Sequence, residues 1–325
     1  MSWLIGAALI FGSLGVALAA WFGPALSLAA ALSWRRVDPW LARFQHAVVV
    51  EELSIDAGDD RRVAADLYRS GSPGGSLLLV HGLSPVGRRH PDIVRIARLL
   101  ARHHRLVLVP QIEGLATFRI SGREVGGVRA ALHALQARSS SVGVVGFSFG
   151  AGPALLAAAD EPGLSLVATF GGYADLRDII VFLATGVHRF GGRQYVQAPE
   201  TSNRWKLLAL VSCCVEDEGD HRRLEQIALR RMRNPLDDTS ALEHELGPAG
   251  QAALALTLNR REDAVEGLVA ALPRSARDGL ARLSQLPAIH RLSGRLLFVH
   301  GAGARRCPSP RACAWRRPRV AGRRR

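Results

Sequence analysis

Lysine is all but absent from this chain. Lys206 stands beside 41 arginines, a skew expected of a GC-rich coding sequence. Cysteine is scarce as well. Of the four, Cys213 and Cys214 are adjacent, and adjacent cysteines rarely bridge without strain. Cys307 and Cys313 lie in an irregular stretch near the end. No disulfide framework and no zinc spacing results, and a reducing compartment fits this usage. Aromatic residues are only 6% of the chain and nowhere interleave with a basic stripe. Nucleic-acid binding is therefore not expected, despite a net charge of +14. Nine arginines and no acid follow Ala304, so the body carries only about +5. Internal repeats of fixed period are also lacking.

The longest absence is one of charge. Residues Trp3 to Leu32, "WLIGAALIFGSLGVALAAWFGPALSLAAAL", contain no charged side chain. Such a run exceeds the roughly 20 residues that span a bilayer, although Gly23-Pro24 interrupts it. Arg35 and Arg36 follow at once, and no Lys or Arg precedes it. That order suits a single-pass anchor over residues 1–34 with the body in the cytoplasm. A cleaved signal ending near Ala29-Ala30-Ala31, or a buried helix, is the alternative reading.

What is present from Val48 onward is alternation. "AVVVEELSID" and "RRVAADLYRS" flank "AGDD", a hairpin signal. "SLLLVHG", "RLVLVPQI", "SVGVVGFS" and "LSLVATFGG" are continuous apolar runs, as strands buried on both faces require. Between them, "PDIVRIARLLARHH" and "REVGGVRAALHALQARS" carry apolar residues at helical spacing. Strand alternating with helix predicts an α/β fold with a mostly parallel, helix-covered sheet. Alternation stops at residue 176. Residues 176–292 read as mostly helical, a cap inserted into a core that covers 47–175 and resumes at 293–303. "RLLFVHG" (295–301) reads as a returning buried strand.

One motif carries chemistry. Gly146-Phe147-Ser148-Phe149-Gly150 lies between a strand and a small-residue helix. G-x-S-x-G in that context describes a sharp turn that lifts a serine hydroxyl clear of the sheet. Glycines at 146 and 150 leave room for the turn, and the following helix aims N–H groups at developing negative charge. A glycine-rich turn with an incidental serine is the plainer alternative in a chain with 33 glycines.

With "LLLVHG" two strands earlier, the chain resembles the α/β-hydrolase superfamily, its serine esterases and lipases in particular, over roughly Val48 to Gly303. The resemblance implies Ser148 as nucleophile. It implies an oxyanion hole from the backbone N–H groups of Phe149 and of Leu83, which follows His81-Gly82. His81 is then a structural or oxyanion-loop residue, not the base. The substrate implied is a small ester-like molecule, with no metal or organic cofactor.

The same resemblance exposes a gap. Family members place an acid after the strand equivalent to "LLFVHGA", and a histidine further on. Position 304 is alanine, and no histidine follows His300. Asp175, in "GGYADLRD", is the best stand-in for the acid, with helix capping as its ordinary role. Read one frame over, residues 306–316 can encode V-P-F-T-x-S-L-R-L-A, the phrase the family carries after its acid. The expectation is that residues 304–325 are out-of-frame translation, with the last strand missing and activity impaired. A native basic tail is the alternative, and with it a non-catalytic, hydrolase-like binding protein.

Overall fold

The computed structural model describes residues 22–300, apart from 24, 35, 44, 121, 191, 198–200 and 283. A helix at 25–33 (α1) and a short one, α2 (Asp38–Ala42), precede the core. β1 (Val49–Asp56) and β2 (Arg62–Arg69) then form the expected hairpin, Asp56 opposite Arg62. Its turn takes Gly58, Asp59 and Asp60 through positive φ, which glycine and aspartate tolerate better than most residues.

The core continues through β3 (Ser76–Val80), α3 (Pro91–Arg102), β4 (Leu106–Pro110), the short α4 (Glu113–Ala116) and α5 (Glu124–Gln136). β5 (Val142–Phe147), α6 (Ala151–Ala159) and β6 (Leu166–Phe170) follow. α7 (Leu176–Thr185) opens the cap. A small hairpin comes next, β7 (Val187–Phe190) with β8 (Arg193–Val196). The cap goes on with α8 (Thr201–Ser212), α9 (Glu218–Arg233), α10 (Ser240–His244), α11 (Pro248–Leu258), α12 (Glu262–Ala271) and α13 (Arg274–Arg282). β9 (Arg295–Val299) then returns to the sheet.

Seven strands share that sheet in the order β1-β2-β4-β3-β5-β6-β9. Pairing is antiparallel for β1–β2 and β2–β4, and parallel from β4 through β9. The predicted α/β class is what the chain adopts. Its central strands explain their own composition. Leu78, Val80, Leu108 and Val144 pack on one face with α5 and α6. Leu79, Val107, Val109 and Val145 pack on the other against Ile93, Ala97 and Ala101 of α3. A strand buried on both faces has no position for a polar side chain, so the runs are unbroken.

Two expectations need correction. The cap is not helical throughout: "VHRFGGRQYV" forms the β7–β8 hairpin, with Gly192 at φ +76° in its turn. Paired glycines between β-formers are a hairpin signal that the helical flanks masked. Nor is β9 a buried strand. It pairs only with β6 among the described residues, and Leu296, Leu297 and Val299 are 37–45% exposed. An edge strand faces solvent on one side, whatever its composition.

The apolar N-terminal run lies mostly outside the described residues. Among those described, no helix is long and apolar enough to cross a membrane. Its end, α1, rests on the core: Ser27 Oγ bonds His103 Nε2 at 2.8 Å, and Arg95 donates to the Ala31 carbonyl at 3.1 Å. The 304–325 segment is also outside the described residues.

Candidate active site

The parallel strands end together at one edge of the sheet, and there Ser148 stands. It follows the last residue of β5 and begins a single 3-10 turn (Ser148–Gly150) that runs into α6. Its φ is +52°. A left-handed backbone costs a non-glycine residue on the order of 1–2 kcal/mol and persists where the surroundings enforce it. They do so by crowding. A Cβ on Gly146 would sit 2.5 Å from the Ala151 Cα, and one on Gly150 would collide with the His81 carbonyl. A Cβ on Gly82 would meet Phe147 O and Ser148 Cβ at 3.0 Å. Strand β3, its exit turn and the serine turn are thus packed backbone to backbone, which is why the sequence repeats glycine at all three places.

His81 is fully buried and fixes the exit from β3. Ile112 donates its N–H to His81 Nε2 at 3.1 Å, so the ring proton is on Nδ1, donating to Gly82 O at 2.8 Å. Burial is the main force lowering its pKa, and both nitrogens are already engaged. It therefore orders the turn that carries Leu83 and has no lone pair to offer Ser148.

Ser148, Gly82, Leu83 and Phe149 all line one cavity of about 820 Å³, a size suited to a small organic ligand. Its walls are largely apolar and include the rings of Phe118, Phe147, Phe149, Phe170 and Tyr173. Phe147 stacks on Phe170 with centroids 5.4 Å apart, and Phe149 lies 5.2 Å from Tyr173. Tyr173 is buried, and burial raises its phenol pKa well above the usual 10 while Gln285 shares its hydrogen bond. Gly152 makes room for that hydroxyl, since a Cβ there would lie 2.5 Å from it.

The cap closes over this cavity with Ile179 and Leu183 of α7, Lys206 of α8, and Leu229, Met232 and Arg233 of α9. Its helices are locked by buried polar contacts. Asp220 accepts from the amides of Gly247 and Gly250 at 2.8 and 2.9 Å, tying α9 to the start of α11. His221 Nδ1 bonds the Ser212 carbonyl at 2.8 Å across the α8–α9 turn. Arg231 lies over the Trp205 ring, 5.3 Å from its centroid.

Asp175 stands elsewhere. It is the N-cap of α7 and accepts from the Arg177 amide at 2.9 Å, and the cavity lining does not include it. His90, Asp92, Tyr173, Lys206 and Arg233 do line the cavity, and sequence reasoning had singled out none of them as site residues. His90-Pro91 was visible as a helix start. Lys206 was visible as the one lysine and read as coding bias. Arg233 and Tyr173 carried no local signal.

No protein-family model matches the chain, and no curated protein does. Solved structures do resemble it, at low identity. A dienelactone-hydrolase-like promiscuous phosphotriesterase from metagenomic libraries is 21% identical over 39% of this chain and 60% of its own, TM-score 0.34. The Pyrococcus horikoshii acylaminoacyl peptidase is 10% identical over 86% of this chain, TM-score 0.48. This chain spans only 36% of that peptidase's length. Dienelactone hydrolase from Anabaena variabilis is 16% identical, covering 83% of this chain and 94% of its own, TM-score 0.39. The strand order, the passage from β5 through a left-handed serine into α6, and the helical cap before β9 give this chain the α/β-hydrolase fold.

Proposed function

We propose that this chain is built as a serine hydrolase for small ester-like substrates, held at a membrane by its N-terminal apolar run with the body in the cytoplasm. The observation that carries the reading is Ser148: a strained, non-glycine residue at the sheet's carboxyl edge, opening into a ligand-sized cavity. Strain of this kind clusters at functional positions. In the reaction, Ser148 Oγ bonds to the carbonyl carbon while the carbonyl π pair moves to oxygen. The N–H groups of Phe149 and Leu83 receive that oxyanion. A base takes the Oγ proton and returns it to the departing alcohol. Water then repeats the attack and frees the acid.

His81 is not that base, since both its ring nitrogens are engaged. A chain without a competent base would retain only what oxyanion stabilisation and binding alone supply. The irregular, arginine-rich residues 304–325 fit a shifted reading frame. Asp175 capping α7 outside the cavity lining, and His81 engaged at both nitrogens, favour a second reading, a hydrolase-like protein that binds its ligand without cleaving it.

Labelling with a fluorophosphonate, followed by peptide mass spectrometry, tests the first reading. Slow modification at Ser148, lost in Ser148→Ala, supports a nucleophile; an unmodified Ser148 in a folded chain favours the binding protein. Retention of the chain in the membrane pellet after alkaline carbonate extraction tests the anchor.

A further inference from the structure

We infer that the cap carries an anion-recognition pair, Lys206 and Arg233, facing Ser148 across the cavity, and that the ligand is an ester with an apolar body and one anionic end. The inference builds on the serine-hydrolase reading and adds the substrate class to it.

Charge in the cavity wall is divided by element. Its carboxylate, Asp92, belongs to the first turn of α3 on the core side, beside His90, whose Nδ1 accepts the Asp92 amide at 3.3 Å. Its two fixed cations belong to the cap, Lys206 on α8 and Arg233 at the last position of α9. Lys206 is half-buried, so its charge is screened less than a surface charge.

Arg233 differs from the other arginines of its helix. Arg222 pairs with Glu218, Arg223 with Glu245, Arg230 with Asp237 and Arg231 with Glu243. Among the described residues, Arg233 alone of these five has no carboxylate partner. Its neighbours are held in place by theirs, and the Arg231–Trp205 contact fixes the register of α9 on α8. The cap therefore presents Leu229 and Met232 as an apolar wall and ends it with a guanidinium that has no acid of its own. A guanidinium and an ammonium in the wall of one largely apolar cavity match a carboxylate or phosphate there. The aromatic floor takes the hydrocarbon between that anion and the carbonyl at Ser148.

The test is equilibrium binding by titration calorimetry on the full chain at low salt, using 4-phenylbutyrate and its neutral isostere 4-phenylbutanamide. The carboxylate should bind roughly tenfold or more tighter than the amide. Lys206→Gln and Arg233→Gln should each remove part of that preference, and the double variant all of it, with amide affinity unchanged. Unchanged amide affinity also reports an intact cavity. Should the double variant lose both ligands, the charge-conserving pair Lys206→Arg and Arg233→Lys decides, since it must keep the preference. Equal affinity for the two ligands, absence of binding by both, or a preference that survives in the double variant overturns the inference. None of these readouts depends on Ser148 being reactive, so a failed labelling experiment and a failed binding experiment are separately legible.

Discussion

The backbone N–H of Ile112 donates to Nε2 of His81 at 3.1 Å, joining the exits of two adjacent parallel strands through one buried ring. His81→Ala would leave that N–H and the Gly82 carbonyl without partners in a fully buried place. A loss of about 3 kcal/mol in urea-unfolding free energy is expected.

The same ring gives a pH dependence. Burial lowers the folded-state pKa of His81 below its ordinary 6.5, so the unfolded chain binds the proton more readily. Stability is unaffected by this group above about pH 6.5. It falls as the pH drops from there towards the folded value, below which the loss levels off. Urea midpoints measured between pH 8 and 5 should fall in that direction, and less so in His81→Ala.

Gly150 and Ser148 should respond very unequally to substitution. Gly150→Ala drives a methyl into the His81 carbonyl and should cost about 3 kcal/mol or prevent folding. Ser148→Gly relieves a left-handed backbone while making the unfolded chain more flexible. These terms nearly cancel, so a change between about zero and +1 kcal/mol is expected. Thermal unfolding of the two variants checks the sign.

Asp220 is the polar rivet of the cap. Asp220→Ala leaves two amides unpaired and should destabilise by about 3 kcal/mol. Hydrogen exchange should rise first in α9 and α11, since these are the helices it joins.

The β9 edge should promote association. Leu297 is 45% exposed there, and a lysine on an edge strand discourages pairing with another chain. Leu297→Lys should lower concentration-dependent light scattering without lowering the thermal midpoint.

If residues 304–325 are read out of frame, restoring the shifted base should supply an acid, a further strand and a histidine. Fluorophosphonate labelling of Ser148 should then rise by several orders of magnitude. If labelling stays at the parent's rate, the shifted-frame reading is wrong.

The sheet was legible in the sequence because burial on both faces leaves an unbroken apolar run, and little else in a soluble domain does. The serine turn was legible because backbone crowding admits only glycine at 146 and 150. The open edge beyond β9 followed from the expected loss of the last strand, but its exposure did not, since "RLLFVH" has the composition of a strand buried on both faces. The cap's share of the site was hidden for a different reason. Lys206 and Arg233 are far from Ser148 in the chain and share a cavity with it only through helix packing, which leaves no local pattern. Asp175 illustrates the converse: a capping role and a catalytic one ask for the same residue type in the same kind of loop, so spacing alone does not separate them.

The way α1 lies on α3 has a mechanical consequence. Ser27 meets His103 at the carboxyl end of α3, while Ala31 meets Arg95 nearer its start. The two helices run in opposite directions, and the chain enters its body at the end of α3 remote from Asp92 and the cavity. Any pull on the chain ahead of α1 would therefore reach the domain at that end of α3, through the Ser27–His103 and Arg95–Ala31 bonds, and not through the cavity wall.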